Sequence, residues 1–530
     1  MTTTKPAVDR SDVVALMCDP ARHPDEPRSV ELLETHVSWL FVTDHFVYKL
    51  KKPVRFDFVD FSTPELRHRA CLDEVRLNCR LAPDVYLGTL PIAPNERGDL
   101  ELGGRGQPVD WVVQMRRLPA HSALDCRLRH GQVSLDDERA VAEQLADFYA
   151  RLPPEAIRGE QYRADYERHI RDNAAVCMKR LSQYDRERVQ RIVGQQLRYL
   201  CVAAPLLDER VSGGDVVDGH GDLRPEHIYL ESPPAVIDCV EFSAELRRVD
   251  VLDDLGFLAM ECDRLGQGPV GARIVEACQS IRGDPIQPLL LDFYKCYRAL
   301  VRAKVMLLRA DQAVDADQRR CTRQAHQYVD WAEFYAARLG RPAMIIVGGL
   351  MGTGKSTLAA QIARAIGAGL LSTDRIRRTL FGASDFPAEY GQQNYTLSHR
   401  ARVYEELFAR AARALDQGRS VVLDGTFLTH DRRIHAATLA RRHGGAPLCV
   451  ICHCPRDVAL ARLAARTAAG GSDSEGRVEL FDRQAAEQEP LAQELASLVV
   501  DTTLPTTLQL QQVFCRLGHE TNPTAPHGIN

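Results

Sequence analysis

The chain has 530 residues, of which 45% are hydrophobic and 26% charged, enough apolar residues for more than one buried core. Its formal net charge of −5 excludes a global basic field, so we expect neither a membrane nor a nucleic acid as partner. Fifteen scattered cysteines, an odd number, indicate reduced thiols, and the sequence has no signal segment and no long apolar run. We therefore expect a cytoplasmic protein.

The first third of the chain alternates predicted strands with a helix, and the part that follows is mostly helical. Residues 43–45 have the composition of a hairpin turn between two strand-favouring runs. Apolar residues recur with helical spacing in ELRHRACLDEVRLNCR. A compact segment rich in Gly, His and Asp, residues 215–245, separates two long helical stretches. The predicted strands lie in 37–50, 85–91 and 111–115, and the predicted helices lie in 65–80, 134–205 and 268–338.

The compact segment carries two aspartates in a kinase-like arrangement. Residues 220–227 read HGDLRPEH, and AVID follows at 235–238. A short loop holding an aspartate, then a strand and a second aspartate, is how kinases build a phosphotransfer site. We predict that Asp222 is the catalytic residue that orients the acceptor hydroxyl and takes its proton, and that Asp238 holds the metal.

A lysine and a glutamate upstream suit the same site. Lys49 lies on the predicted strand 46–50, and Glu74 lies on the predicted helix that follows it. A lysine held by a helix glutamate can bind the α- and β-phosphates of ATP, so both residues are predicted to be ATP-binding. Lys51 lies on the same face of the strand and is an alternative to Lys49.

Residues 30–310 resemble the aminoglycoside phosphotransferase family, a branch of the protein-kinase-like fold. HGDLRPEH matches that family's H-G-D-L-x-x-x-N loop at all but the last position, and VIDCVEF matches its metal-binding aspartate segment. DVLDDLGFL, with Asp250 and Asp254, matches the structural stretch that follows. The resemblance implies an α+β protein-kinase-like domain with ATP between an N-lobe of strands and a helical C-lobe, and with residues 115–118 near the adenine.

The match to this family breaks at His227, which stands where a metal-binding Asn is expected. Hard cations such as Mg²⁺ prefer oxygen, whereas Mn²⁺ accepts imidazole more readily, so Mn²⁺ is an alternative metal for this half. His227 either supplies a nitrogen to the metal or hydrogen-bonds Asp222 or Asp238. No glycine precedes Gly88, so the glycine-rich phosphate cover of protein kinases cannot be placed.

A helix stop and a change of pattern divide the chain near residue 340. Gly340 can end a helix in the left-handed conformation, and Pro342 cannot continue it. From there strands and helices alternate, which predicts an α/β P-loop domain with a parallel sheet. We expect two halves that fold separately. The predicted domains are a kinase-like domain at 1–340, a P-loop domain at 341–520 and a tail at 521–530.

The second half begins with a phosphate-binding loop. Residues 349–356, GLMGTGKS, match G-x-x-x-x-G-K-[ST] in full, between a predicted strand at 344–347 and a predicted helix at 357–366. The glycines let backbone N–H groups surround phosphates, Lys355 is expected to reach the β- and γ-phosphates, and Ser356 is expected to bind magnesium. The predicted ATP-binding residues here are Gly349, Gly352, Thr353, Gly354, Lys355, Ser356 and Thr357.

Four charged residues further along complete the predicted site. Asp424 ends a short strand, where carboxylates face the ligand crevice of an α/β sheet, and is predicted to be catalytic. Asp374 is predicted to bind an acceptor hydroxyl, with a helix N-cap role as the alternative. Arg462 and Arg466 lie four residues apart on one helix face, beside a Gly-rich stretch at 468–473. They are predicted to act on the transferring phosphate as part of a lid.

Residues 343–500 resemble the P-loop kinases of small metabolites and the zeta-toxin-like kinases, among AAA-family ATP-binding domains. The resemblance rests on GLMGTGKST, STDRIRR, VVLDGTF and the arginine-containing lid. It implies ATP and Mg²⁺ as cofactors, and it leaves the acceptor open.

The two halves together predict an ATP-dependent kinase, a phosphotransferase with an alcohol group as acceptor and two ATP sites. Small hydroxyl-bearing metabolites are the expected substrates, and no protein partner is identified. One alternative is a single active kinase half with the other half a nucleotide-binding regulator. A second is a nucleotide-operated protein-binding switch that makes no phosphorylated product.

Overall fold

The computed structural model describes residues 10–35, 37–56, 59–382, 397–468, 481–491 and 495–521. They form two compact units, each built from two separate stretches of chain. The first unit is Met1–Ile157 with Arg210–Lys295, and the second is Arg158–Glu209 with Cys296–Asn530. Within the described part of the chain, every helix is too short or too polar to cross a membrane.

The strands are β1 Glu31–Glu34, β2 Ser38–Val42, β3 Phe46–Lys51, β4 Arg55–Phe56, β5 Val59–Asp60, β6 Tyr86–Pro94, β7 Leu100–Leu102, β8 Asp110–Arg116, β9 Val216–Asp218, β10 Ile228–Tyr229, β11 Ala235–Val236, β12 Arg248–Asp250, β13 Ala343–Gly348, β14 Gly369–Ser372, β15 Val421–Asp424, β16 Ala446–His453 and β17 Ser497–Asp501. The helices are α1 Arg10–Cys18, α2 Pro64–Asn78, α3 Leu124–Arg129, α4 Leu135–Ala150, α5 Gly159–Arg180, α6 Gln183–Val202, α7 Ala204–Ser212, α8 Ala244–Arg247, α9 Val251–Arg264, α10 Gly268–Arg282, α11 Pro288–Gln312, α12 Asp315–Arg338, α13 Lys355–Ala365, α14 Thr373–Phe381, α15 Leu397–Asp416, α16 His430–Arg442, α17 Arg456–Ala468, α18 Phe481–Glu487 and α19 Thr506–Thr521.

The first unit contains an antiparallel six-stranded sheet in the order β1-β2-β3-β8-β6-β7. Side chains of a strand alternate between its two faces. Tyr48 and Leu50 of β3 pack in a core that includes Met17 of α1. On the other face, Val113 of β8 packs with Cys71 of α2. The odd-numbered residues of β3 therefore face α2.

Helix α2 begins at a sequence signal that fixes its register. The side chain of Thr63 accepts a hydrogen bond from the N–H of Leu66, and Pro64 occupies the first turn, where a missing N–H costs nothing. This register turns Glu74 inward, where it is fully buried. The predicted helix at 65–80 and the predicted hairpin around residues 43–45 are both confirmed.

The second unit contains a parallel five-stranded sheet in the order β14-β15-β13-β16-β17. All six residues of the central strand β13 are buried, as expected for a parallel strand covered on both faces. One face packs on α13 and α19, through residues such as Ile362 and Leu517. The other face packs on α14, α15 and α16, through residues such as Leu407 and Ala436.

Helix α6 belongs to the second unit and covers part of the P-loop core. Val202 of α6 packs on the core that contains α13 and α19. An added Cβ on Gly518 of α19 would lie only 2.9 Å from Val202 Cγ1, so the two helices are in close contact there. The thiol of Cys201 donates to the carbonyl of Ala365 at 3.8 Å.

The predicted fold class, an α+β protein-kinase-like domain followed by an α/β P-loop domain with a parallel sheet, is confirmed. Gly340 has a φ of 113°, on the positive side as predicted for the residue after a helix. The predicted boundary at 340–342 lies inside the second unit, between α12 and β13. The compact units therefore divide the chain at other points, and separate folding of 1–340 and 341–520 stays a prediction.

The contact of α6 with the P-loop core can be tested by placing a charge in it. We expect Val202→Asp to destabilise the second unit by about 2 kcal/mol, because the new carboxylate loses water against apolar groups. The measurement is native-state hydrogen exchange of the β13 amides. Tyr184→Asp, at an exposed position on the same helix, is the matched control and leaves that exchange unchanged. Equal exchange in both variants contradicts a shared core.

Candidate functional sites

Two lysines of β3 share one buried glutamate in the first unit. Lys49 and Lys51 point to the same face of the sheet, toward α2. Lys49 Nζ lies 2.7 Å from Glu74 Oε1 as an ion pair, and Lys51 Nζ donates a hydrogen bond to Glu74 Oε2, also at 2.7 Å. Lys51 Nζ lies 2.6 Å from Glu241 Oε1 as well. The predicted Lys–Glu pair is present, with a second lysine on the same carboxylate.

These groups keep their charges despite burial. Burial acts to raise the pKa of Glu74, but Lys49 and Lys51 outweigh it and hold that pKa below its ordinary value. Burial acts to lower the pKa of Lys49, yet Asp238, Glu74 and Glu241 together raise it well above the usual range. Glu74 and Lys49 are therefore both charged at neutral pH.

The two lysines differ in how accessible their surroundings are to solvent. Lys51 is fully buried, and its partner Glu241 is 8% exposed. Lys49 also donates to Asp238 Oδ1 at 3.0 Å, and the Asp238 side chain is 44% exposed. Accessibility thus favours Lys49 as the phosphate-facing lysine and gives Lys51 a structural role.

Asp238 has an unusual backbone conformation that other residues stabilise. Its φ of 63° is left-handed, which Asp tolerates better than most residues. The hydroxyl of Tyr86 accepts its N–H at 3.2 Å, and Asn78 Oδ1 accepts the N–H of Cys239 at 2.9 Å. Burial acts to raise the pKa of Asp238, but the ammonium group of Lys49 outweighs it, so the pKa lies well below its ordinary value. Sequence reasoning missed Tyr86 and Asn78, because nothing local to them signals this contact.

His220 joins the two aspartate loops. Its Nδ1 accepts the N–H of Asp222 at 3.2 Å, so its Nε2–H donates to the carbonyl of Ile237 at 3.0 Å. The carboxylate of Asp254 accepts the N–H groups of His220 and Gly221 at 2.7 and 2.9 Å. Burial lowers the pKa of His220 to about 4, although Asp254 opposes the shift. A neutral imidazole therefore spaces the predicted catalytic loop from the predicted metal loop.

The two predicted metal ligands of the first unit, His227 and Asp238, lie together with the predicted catalytic residue Asp222. Each of the three offers a ligand atom within 4.8 Å of the others. His227 Nδ1 lies 3.0 Å from the Asp222 carbonyl, so this nitrogen carries the proton and Nε2 is left with a lone pair. Two carboxylates and one imidazole nitrogen fit a divalent cation, and the imidazole suits Mn²⁺ better than Mg²⁺.

Arg224 competes with a metal for this cluster. Its Nη2 lies 2.9 Å from His227 Nε2, and its Nε donates to Asp222 Oδ2 at 3.0 Å. Glu226 also pairs with the same guanidinium. A metal ion on His227 Nε2 has to replace the hydrogen bond from Arg224. Sequence reasoning did not single out Arg224, although its place two residues after Asp222 was the available signal.

The phosphate loop of the second unit depends on its glycines for space and for conformation. Gly349, Gly352 and Gly354 have φ values of 136°, 78° and 82°. An added Cβ would lie 2.5 Å from the Cys452 carbonyl oxygen at Gly349, and 2.5 Å from that of Ala459 at Gly352. Side chains are therefore excluded there, and the loop leads directly into the first turn of α13.

Ser356 and Asp424 meet at the carboxyl edge of the parallel sheet. Asp424 ends β15, the neighbour of β13. Ser356 Oγ donates to Asp424 Oδ1 at 3.1 Å. A hydroxyl and a carboxylate are oxygen ligands of the kind that Mg²⁺ prefers, so the pair fits a magnesium ion on bound phosphates.

Asp374 lies in the same neighbourhood, in the first turn of α14. The N-cap of α14 is Ser372, so the alternative N-cap role of Asp374 is not observed. Burial raises the pKa of Asp374, Lys355 and Arg377 oppose the rise, and Asp424 adds to it. A carboxylate with a raised pKa beside the phosphate loop is a candidate for binding an acceptor hydroxyl.

Arg462 of α17 reaches the phosphate loop through a residue that sequence reasoning missed. Its Nη1 and Nη2 donate to the side chain and the carbonyl of Thr502, at 3.1 and 2.9 Å. The Thr502 hydroxyl in turn donates to the Thr353 carbonyl at 2.7 Å. Arg466 follows one turn later on α17. Most of the predicted lid stretch, from residue 469 on, lies outside the described residues, so the lid stays a prediction.

The sequence matches a family model described as an AAA domain over residues 344–491. It is 34% identical over 470 residues to the uncharacterized protein Rv2004c of Mycobacterium tuberculosis, covering 87% of this chain and 91% of the relative. The uncharacterized protein Mb2027c of Mycobacterium bovis gives the same values.

Solved structures resemble parts of the chain. A putative kinase from Chloroflexus aurantiacus is 27% identical and covers 34% of this chain and 99% of its own, with a TM-score of 0.27. A gluconokinase from Sinorhizobium meliloti is 21% identical, covers 34% and 95%, and has a TM-score of 0.26. A GDP complex of an aminoglycoside 2′-phosphotransferase IIIa mutant is 14% identical, covers 61% and 97%, and has a TM-score of 0.35.

The buried neutral His220 predicts a pH dependence of stability. The pKa of about 4 in the fold lies below the ordinary value of about 6.5, so the unfolded chain binds more protons between these values. Acidification from pH 8 to 5 should therefore remove about 2 kcal/mol of stability through this group. His220→Gln lacks this contribution, so the difference in unfolding free energy between wild type and variant narrows by about that amount.

Urea unfolding followed by tryptophan fluorescence measures this difference. Trp331→Phe in both proteins leaves Trp39 and Trp111, which report on the first unit. If the difference in unfolding free energy between wild type and His220→Gln stays constant from pH 8 to 5, the imidazole of His220 is not held neutral.

The contact between Arg224 and His227 predicts competition with metal. We expect Arg224→Gln to tighten Mn²⁺ binding at least about fivefold, because a positive charge and a hydrogen bond to Nε2 are removed. We expect His227→Asn to weaken Mn²⁺ relative to Mg²⁺. Electron paramagnetic resonance of free Mn²⁺ without nucleotide measures the affinity, and Asp424→Asn shows the contribution of the second unit. Unchanged Mn²⁺ affinity in His227→Asn means that His227 is not a ligand.

Proposed function

This chain belongs to the family of the mycobacterial protein Rv2004c, and for it we propose an ATP-dependent phosphotransferase that acts on small hydroxyl-bearing metabolites. The observation that carries the proposal is the contact of Ser356 with Asp424, next to a complete phosphate loop. A hydroxyl and a carboxylate at this point hold the cation that accompanies nucleotide phosphates. The match to an AAA domain model over the same residues supports nucleotide binding by this half.

In the proposed second site, each side chain has a separate task. Backbone N–H groups of the glycine-rich loop and the ammonium group of Lys355 bind the β- and γ-phosphates. Bound magnesium would offset the charge of these phosphates. Asp374 binds the acceptor hydroxyl, and Asp424 orients Ser356 and is available to take the acceptor proton. Arg462, tied to the loop through Thr502, adds positive charge near the transferring group.

In the proposed first site, Lys49 binds phosphates while Glu74 fixes its position. Asp222 orients the acceptor hydroxyl and takes its proton, and Asp238 provides the metal-binding carboxylate. His220 keeps these two aspartates at a constant separation. Both sites thus combine a lysine for phosphates with a carboxylate for the acceptor, which is the division of labour that phosphoryl transfer requires.

One observation favours a second candidate, in which the first unit is a nucleotide-binding regulator. Arg224 pairs with the carboxylate of Asp222 and with His227, so both a hydroxyl acceptor and a metal meet an existing ion pair. In that case nucleotide binding survives in the first unit while transfer occurs only at the phosphate loop.

The test is transfer from γ-labelled ATP to a metabolite extract by the full chain. We expect labelled products that Asp424→Asn reduces at least about a hundredfold, as for loss of a group that acts in the transition state. Asp136→Asn, at a position 92% exposed, is the matched control and keeps wild-type activity. Loss of a product in Asp222→Asn assigns that product to the first site, whereas normal products in Asp222→Asn support the regulator.

Nucleotide binding by each site is measured separately from transfer. Lys355→Ala should abolish magnesium-dependent ATP binding at the second site, because the phosphates lose their main cation. Wild-type protein that binds ATP but labels no small molecule contradicts the phosphotransferase and supports the switch. Wild-type protein that binds no ATP contradicts both.

A further inference from the structure

A cavity of about 580 Å³ lies in the second unit, away from the phosphate loop. Gly369 and Val421, the first residues of β14 and β15, line it. Ser372 and Asp424 end the same two strands, so the cavity and the proposed nucleotide site are at opposite edges of the sheet. Helices α5 and α6, the end of α15 and the loops before β14 and β15 also line it. Its volume is in the range of small-ligand pockets.

Arginines dominate the charge of this cavity. Among the residues that the structure describes, no Asp or Glu lines it. The polar side chains of the lining belong to α5, α6, the end of α15 and the loop before β15. The lining arginines are Arg171, Arg191, Arg410, Arg413 and Arg419.

The carboxylates that pair with these arginines lie outside the lining, and there are fewer carboxylates than arginines. Glu406 is shared by Arg410 at 2.7 Å and Arg413 at 3.8 Å, and Arg419 donates to the amide oxygen of Gln417. The remaining pairs are Arg171 with Glu167 at 2.8 Å and Arg191 with Glu333 at 2.7 Å. Within the part of the chain that the structure describes, three carboxylates therefore pair with four of the five lining guanidinium groups.

A purely structural role accounts for part of this charge. Helices α13 and α15 end at this edge of the sheet, and each C-terminal end carries about half a negative charge. Two helix ends offset about one positive charge, which is less than the surplus of the lining arginines. The remaining charge faces the cavity.

Apolar side chains form the rest of the wall. Met178 of α5, Leu197 of α6 and Leu371 of β14 are examples. A ligand for such a cavity has several anionic groups on a body that tolerates apolar contact. We propose that this cavity binds a phosphorylated small molecule with at least two anionic groups, whether or not the chain is a kinase.

Binding there has a structural consequence. An added Cβ on Gly367 would lie 3.3 Å from Gly194 Cα, so α6 and the loop before β14 are already in close contact beside the cavity. A polyanion that binds Arg191 of α6 and Arg419 before β15 together holds α6 against the start of the sheet. The same ligand therefore protects both segments from solvent.

The experiment titrates the full chain with inorganic pyrophosphate at constant ionic strength and follows hydrogen exchange by mass spectrometry. We expect saturable protection of residues 367–371 and 417–421. Arg413→Gln with Arg419→Gln removes two exposed lining charges and should weaken that protection at least about tenfold. Arg441→Gln with Arg442→Gln, exposed on α16 and outside the cavity, is the matched control and should stay within about twofold of wild type.

Three results overturn the proposal. One is protection confined to residues 349–357, which places the probe on the phosphate loop alone. Another is equal weakening by both double variants, which shows only general electrostatic attraction. The third is the absence of saturable protection at the cavity segments in wild-type protein.

Discussion

The buried carboxylate of Glu74, held between two ammonium groups, is the interaction on which the first unit depends. It links β3 to α2, and through the same lysines it reaches Asp238 and Glu241. A buried charge without its partner costs about 3 to 5 kcal/mol, so loss of Glu74 would leave two buried cations facing each other. The strand, the helix and the predicted metal loop are thus parts of one electrostatic cluster.

In the second unit, backbone geometry rather than a cluster of ion pairs determines the shape of the phosphate loop. Its phosphate loop is shaped by glycines whose neighbours leave no room for a Cβ, as at Gly349 and Gly352. Few charges are needed to hold this loop, since its N–H groups and the start of α13 supply the positive potential. We therefore expect the first site to respond to charge substitutions, and the second to substitutions of its glycines.

Local sequence patterns were sufficient to predict the strands and helices around the sites and the phosphate loop. The alternation in β3, the cap of α2 and the full loop motif are each written within about fifteen residues. The contact of Ser356 with Asp424 could also have been predicted, because Ser356 follows β13 and Asp424 ends the neighbouring parallel strand β15. The sequence could not show whether Lys49 or Lys51 is the phosphate-facing lysine. The two differ in the distant carboxylates that they contact.

Contacts between distant residues account for what the sequence did not reveal. Helix α6 has an apolar face, but nothing in its own residues says that Val202 packs beside α13 and α19. The division into compact units also lies at other points of the chain than the break in pattern at Gly340, because contacts between distant stretches define it. The pairing of Arg224 with His227 is similar, since a short loop brings together residues whose spacing alone does not predict a hydrogen bond.

The two sites also differ in what a bound cation has to displace. At the phosphate loop, Ser356 and Asp424 contact each other through neutral and negative oxygens, and a cation between them replaces one weak hydrogen bond. In the first unit, a cation near Asp222 and His227 meets the guanidinium of Arg224, which already neutralises the carboxylate. Like charges repel more strongly in a buried site than in water, so Arg224 has to move before a metal binds. In the proposed first site, the position of this one arginine side chain thus decides whether a metal can bind at Asp222 and His227.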